Sequence, residues 1–293
     1  MKIYYIPLGS FCYPKMVIRE TNREISESLP FDFNSSPHLD GITNILKILQ
    51  KTNTYDLNLK EIMYKYNGNE LAIREENMYL VHFFKEEDLI MNIKDEEYPT
   101  SIDLLKSDKL NEVKYKFKKR FERLANILND QNNIICFLRI ENYDNHGWNY
   151  ELLEFTKILS EFKNPNKFLI YSQNLIDDRL HINNTKTFNY EYNIPIIFVK
   201  HFFNDIEMIN NKDLFITILN TFEYMINNDN IINIKNNGII EKYYINKNNL
   251  LIYKLTNINF FSQYYINSDG LYINNVIVGY EKYILNKDGI FEK

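Results

Sequence analysis

Cys12 is the residue with the clearest chemical reason to stand where it does. It ends Leu8-Gly9-Ser10-Phe11-Cys12, between an alternating apolar run from Lys2 to Pro7 and a helical pattern from Pro14 to Glu20. The reactive form of cysteine is the thiolate, and its pKa of about 8.5 falls at a helix N-terminus, where unpaired N–H groups favour negative charge. Gly9 permits a sharp turn, Gly9 and Ser10 would line the substrate side, and N–H groups of the first helical turn would serve as oxyanion donors. Read for packing alone, Cys12 is a small buried thiol at a strand end.

A nucleophilic cysteine needs a base, and the chain has five histidines: His38, His82, His146, His181 and His201. His82 is the favoured base, because it lies in an extended pattern from Asn77 to Phe84 that can aim an imidazole. His146 follows a strand end and is the second candidate. His38 reads as a residue preceding a helix, and His181 and His201 read as surface or packing residues. Asp32, in Leu29-Pro30-Phe31-Asp32-Phe33, is a carboxylate among aromatics, so it needs a partner. That partner is either His82, whose tautomer it would fix, or Arg19, in a structural pair. Arg139 ends an apolar strand, where open α/β sheets bind ligands, and either positions substrate or pairs with Glu141.

These residues must be held by regular elements. The spacing predicts helices over 38–49, 101–128 (interrupted near Lys106-Ser107-Asp108), 148–162 and 205–226, with a further short helix at 61–66. Strands are predicted at 2–7, 77–84, 133–139, 167–172, 187–192 and 194–199. The basic face of the 101–128 pattern, Lys114, Lys116, Lys118, Lys119, Arg120 and Arg123, reads as a solvated helix face rather than a phosphate or acidic-partner site. The alternation indicates an α/β domain over 1–228 with a largely parallel sheet flanked by helices, a Rossmann-like layout. Beyond it, 229–293 reads as a β-hairpin-rich appendage punctuated by Asn237-Gly238, Asp269-Gly270 and Asp288-Gly289.

Composition narrows the classes. The formal net charge of −5 gives no general reason to expect nucleic-acid binding. No apolar run approaches the roughly 20 residues of a membrane span, and the first residues do not form a signal peptide. Two cysteines make no disulfide framework, and no Cys/His pairs suggest a metal site, so a reduced, cytoplasmic setting is expected. The richness in Asn, Ile, Lys and Tyr is the bias of an AT-rich genome, cellular or viral; for a virus the setting is the host cytoplasm. Neither G-x-x-x-x-G-K-[ST] nor G-x-G-x-x-G occurs, and no cofactor is expected.

Leu8-Gly9-x-x-Cys12, Ile18-Arg19 and Pro30-Phe31-Asp32 resemble the opening of a family of uncharacterised papain-like cysteine peptidases. His82-Phe83-Phe84 and Phe137-Leu138-Arg139 are similar to its histidine motif and its strand ending in Arg. Pro7 and Phe33 depart from the Ser and Trp of that pattern. The resemblance covers about residues 1 to 200 and implies a Cys12-His82-Asp32 site acting on an amide or ester, with a papain-like fold as the alternative to the Rossmann-like one. The expected function is a thiol-dependent hydrolase or transferase with an unspecified protein or small-molecule substrate. The other readings are a nucleotide-sugar or glycan-modifying α/β enzyme with a structural Cys12, and a non-enzymatic binding protein.

Overall fold

The structure is a computed structural model. It describes residues 2–9, 13–23, 28–32, 34–35, 38–75, 78–141, 148–174, 193–194, 196–201, 219–220, 223, 231–236, 239–246, 251–254, 257–267, 270–275, 279–287 and 290–293. Two compact units result: Met1–Arg19 with Arg23–Arg139 and Tyr150–Lys167, and Glu20–Asn22 with Ile140–Asn149 and Phe168–Lys293.

The first unit opens with β1 (Lys2–Leu8), followed by α1 (Tyr13–Glu20) and β2 (Asn34–Ser35). Then α2 (Leu39–Thr52) turns Leu39, Ile42, Ile45, Leu46 and Leu49 inward at helical spacing. It ends at Asn53, whose left-handed backbone and N–H bond to the Leu49 carbonyl close the last turn.

The segment expected to be a helix at 61–66 is instead β3 (Leu59–Tyr66), the first strand of a meander with β4 (Glu70–Glu75) and β5 (Met78–Lys85). The physical reason lies just beyond it. Tyr66 pairs with Glu70 across Asn67-Gly68-Asn69, and Asn67 and Gly68 both take positive φ (43° and 86°). This is the Asn-Gly hairpin chemistry that reverses a chain, and it outranks a short local helical pattern. With β6 (Thr100–Ser101) these strands form a five-stranded sheet in the order β2-β5-β4-β3-β6.

The long helix is α3 (Ser107–Asn129), preceded by a separate 3-10 turn at Ile102–Leu104 capped by Ser101. The interruption expected at 106–108 is therefore the helix start. Val113, Phe117, Phe121, Leu124 and Leu128 face the core. β7 (Asn133–Glu141) follows, with Ile134 to Leu138 all buried, as a strand covered on both faces should be. It runs parallel to β1. α4 (Trp148–Ser160) and β8 (Lys167–Asn174) come next.

Lys167 is 2% exposed and donates from Nζ to the carbonyls of Phe162 (2.7 Å) and Asn164, closing the chain after α4. Burial lowers its pKa to about 8. Between that value and the ordinary lysine range near 10.4, the unfolded chain holds a proton that the folded amine has released, so stability should rise with pH there. Urea denaturation of wild type and Lys167→Met at several pH values checks this. The wild-type advantage is expected to grow from pH 7.5 to 9.5, and a pH-independent difference would contradict the shift.

In the second unit β8 runs parallel to β9 (Ile196–His201), which is itself parallel to part of a longer strand, β13 (Asn257–Asn267). From Ile231 every described element is a strand: β10 (Ile231–Asn236), β11 (Ile239–Asn246), β12 (Leu251–Lys254), β13, β14 (Gly270–Asn275), β15 (Gly279–Leu285) and β16 (Ile290–Glu292). Their pairing runs β13-β12-β11-β10-β16-β15-β14 and returns to β13. The hairpins therefore close into a ring of seven strands, which removes the unpaired edges an open sheet would expose.

The α/β class holds, with a parallel sheet as expected and, in addition, an antiparallel sheet that the pattern did not predict. Parallel pairs occur at β1–β7, β8–β9, β9–β13 and β10–β16, whereas the five-stranded sheet and the hairpins from β10 to β15 pair antiparallel. The expected helix at 205–226 and strand at 187–192 lie almost wholly outside the described residues. No described helix is long and apolar enough to cross a membrane.

Candidate functional site

Parallel pairing of β1 and β7 sets Leu8 opposite Arg139, so both strands end together. Arg139 is fully buried, and its Nη1 donates to the Leu8 carbonyl at 3.5 Å. Gly9, also buried, follows directly, and α1 begins at Tyr13. Ser10 and Cys12 lie outside the described residues. What is described is their frame: a strand end before them, a helix start after them and a buried guanidinium alongside the strand end. Pro14 sits in the first turn of α1, where its missing N–H breaks no helical bond.

Lys15, in the same turn, reaches Asp32 at 3.0 Å, with the two side chains 5% and 3% exposed. Asp32 is presented by a tight turn. Its N–H donates to the Leu29 carbonyl at 3.3 Å, and its Oδ2 accepts the Leu29 N–H at 3.0 Å. Pro30 at the second position of that turn fixes the φ the turn requires. Burial pushes the Asp32 carboxyl above the ordinary carboxylate range, opposed by Lys15, by the Leu29 N–H and by the field of Arg120.

The partner of Asp32 is therefore Lys15, neither His82 nor Arg19. Arg19 is exposed in the last turn of α1, where a cation suits the helix dipole. Lysine is almost never fully buried unless paired, so Lys15 carried no signal in the sequence that it was Asp32's partner.

Asp32 Oδ1 and Arg120 Nη1 are both buried and have no hydrogen-bond partner among the described residues. The Arg120 guanidinium lies over the rings of Phe83 (5.2 Å) and Phe117 (5.0 Å), and burial lowers its pKa while Asp32 opposes that shift. Arg120 thus leaves the solvated face to which it was assigned. Its neighbours on α3 stay there: Lys116 pairs with Glu112, Lys119 with Glu122 at 2.8 Å, and Lys118 with Asp56 at 3.4 Å.

His82 stands on β5, as the pattern predicts, but in a conformation no pattern would give. Its φ is +67°. The register explains this: Phe84 pairs with Leu71 and Leu80 with Ile73, so Val81, His82 and Phe83 lie opposite Ala72 alone. Such a bulge re-aims a side chain. The His82 Nδ1 lies 2.7 Å from Glu70 Oε2, and its ring forms a T-shaped contact with Tyr66, the centroids 5.2 Å apart. The side chains of His82 and Glu70 are 30% and 21% exposed. A left-handed backbone at a non-glycine residue costs on the order of 1–3 kcal/mol.

His38 precedes α2 as expected and lies 3.3 Å from Glu151. His146 and His181 lie outside the described residues, and His201 ends β9. Among the described residues no group of His, Cys, Asp and Glu is arranged to hold a metal ion. Sequence reasoning missed Lys15, Glu70 and Arg120. The one signal available was Asn67-Gly68, which as a hairpin turn would have brought Glu70 back beside Tyr66.

A family model described as "Putative papain-like cysteine peptidase (DUF1796)" matches residues 3–177. Gly9, Cys12, Asp32, Glu70, His82 and Arg139 all fall inside the matched span. No curated protein and no solved structure matches the chain.

Proposed function

The chain belongs to the family described as putative papain-like cysteine peptidase, and from that premise we propose that it is a thiol-dependent hydrolase or acyl transferase with Cys12 as nucleophile and His82 as base. In this reading the imidazole takes the Cys12 proton as Sγ bonds to the carbonyl carbon of an amide or ester. The proton passes to the leaving amine or alcohol as its bond breaks, and water or another acceptor then releases the acyl group. N–H groups at the start of α1 stabilise the oxyanion. Asp32 braces the first turn of α1 through Lys15, and Arg139 fixes the strand end beside Gly9. The observation that carries the reading is this frame: β1 ends at Leu8, α1 starts at Tyr13, and both sides are held by buried charged side chains. A cysteine after a parallel strand favours the Rossmann-like layout for this part of the chain over a papain-like one.

Alkylation by iodoacetamide across pH 5 to 9 tests it. An ordinary thiol is only a few per cent thiolate at pH 7, and its rate is half-maximal near pH 8.5 and still rising at pH 9. Cys12 is expected to react several-fold faster than that at pH 6 and to reach its plateau below pH 8, while Cys136, fully buried on β7, stays unlabelled until the chain unfolds. A Cys12 profile identical to that of an ordinary thiol would overturn the proposal.

A further inference from the structure

We propose that Glu70, in place of Asp32, is the positioning residue that fixes the tautomer and aim of His82. The inference rests on the reading of His82 as the base for Cys12 and adds which carboxylate serves it. A carboxylate at 2.7 Å from Nδ1 accepts a proton held on that nitrogen, which leaves the Nε2 lone pair to take a proton from a thiol. Nothing in strand pairing alone brings these groups together, since the cross-strand partner of Glu70 is Lys85. The bulge at 81–83 and the positive φ of His82 supply the approach, and the Tyr66 ring packs against the imidazole in a T-shaped contact. Asp32 cannot serve, because its Oδ2 is held by Lys15 and the Leu29 N–H and the residue makes no bond to His82. Glu70 starts β4 directly after the Asn67-Gly68-Asn69 connection, so its backbone is fixed by the same hairpin that carries Tyr66.

Two measurements on the full chain decide it. Long-range nitrogen–proton correlation spectra report which His82 nitrogen carries the proton in the neutral ring. Wild type and Glu70→Gln, whose side-chain carbonyl still accepts, are expected to hold the proton on Nδ1, and Glu70→Ala is expected to shift most of it to Nε2. Iodoacetamide alkylation of Cys12 at pH 7 is expected to slow roughly threefold or more in Glu70→Ala and to recover at least in part in Glu70→Gln. Adding Glu70→Ala to His82→Ala should change the rate no further. A His82 tautomer unaltered in Glu70→Ala overturns the Glu70 assignment, whatever the rates. If His82→Ala alone leaves the Cys12 rate unchanged, the base reading fails, and the tautomer still reports on Glu70 separately. If His82→Ala slows labelling and Glu70→Ala does not, only the Glu70 inference falls.

Discussion

Asp32→Ala is expected to lower the unfolding free energy by about 3–5 kcal/mol, the cost typical of breaking a buried ion pair by removing one partner. The size follows from what remains. Lys15 is nearly inaccessible to water, so its ammonium would stay buried beside a cavity, and Leu29 would lose the acceptor of its N–H. Removing both charges tests the cause. Lys15→Met combined with Asp32→Ala should recover most of the loss, because a buried pair replaced by apolar groups is often neutral or better. Urea denaturation of the single and double variants gives the coupling directly. A loss under 1 kcal/mol for Asp32→Ala would mean that water reaches the pair, as it does at a protein surface. The same pair sets the first turn of α1, so the loss should be accompanied by slower alkylation of Cys12.

Phe121→Ala should destabilise the first unit by about 3–5 kcal/mol, in the range for deleting a buried aromatic ring. Phe121 is fully buried on α3 and meets Tyr55 at 4.8 Å, Phe31 at 6.1 Å and Phe117 at 6.3 Å. The contacts with Tyr55 and Phe31 are edge-to-face, an arrangement that adds about 0.5–1.5 kcal/mol each beyond the area removed from water. Phe31 directly precedes Asp32, so the ring cluster is what holds the Pro30 turn against α3. Phe121→Leu, which keeps most of the volume, should cost less than half as much in the same denaturation experiment. Equal losses for Ala and Leu would show that the ring contacts, rather than filled volume, dominate.

Much of the framework follows from local pattern. Apolar spacing gave α2, α3 and α4 within a few residues, because a helix face buried against a core imposes its own period. The continuous run Ile134 to Leu138 gave β7, because a strand covered on both faces has no polar side. The meander from 59 to 85 was half missed. β5 was legible, but β3 was read as a helix, since six residues fit either period and the reversal at Asn67-Gly68 decides between them.

At the site, residue types alone marked positions but not partners. Local pattern is enough to set a cysteine between a strand and a helix, an aspartate in a turn with Pro30, a histidine on a strand and an arginine near the end of β7. Which charges meet was settled by packing between elements. Asp32 took Lys15 because the Pro30 turn and the first turn of α1 are buried together, and a carboxylate removed from water binds the nearest cation that is removed with it. His82 took Glu70 because a bulge two residues out of register turned its backbone left-handed, and bulge position depends on pairing between strands rather than on either strand's residues. Spacing in the chain sets which face a side chain occupies; distance across elements, which spacing does not encode, sets its chemistry.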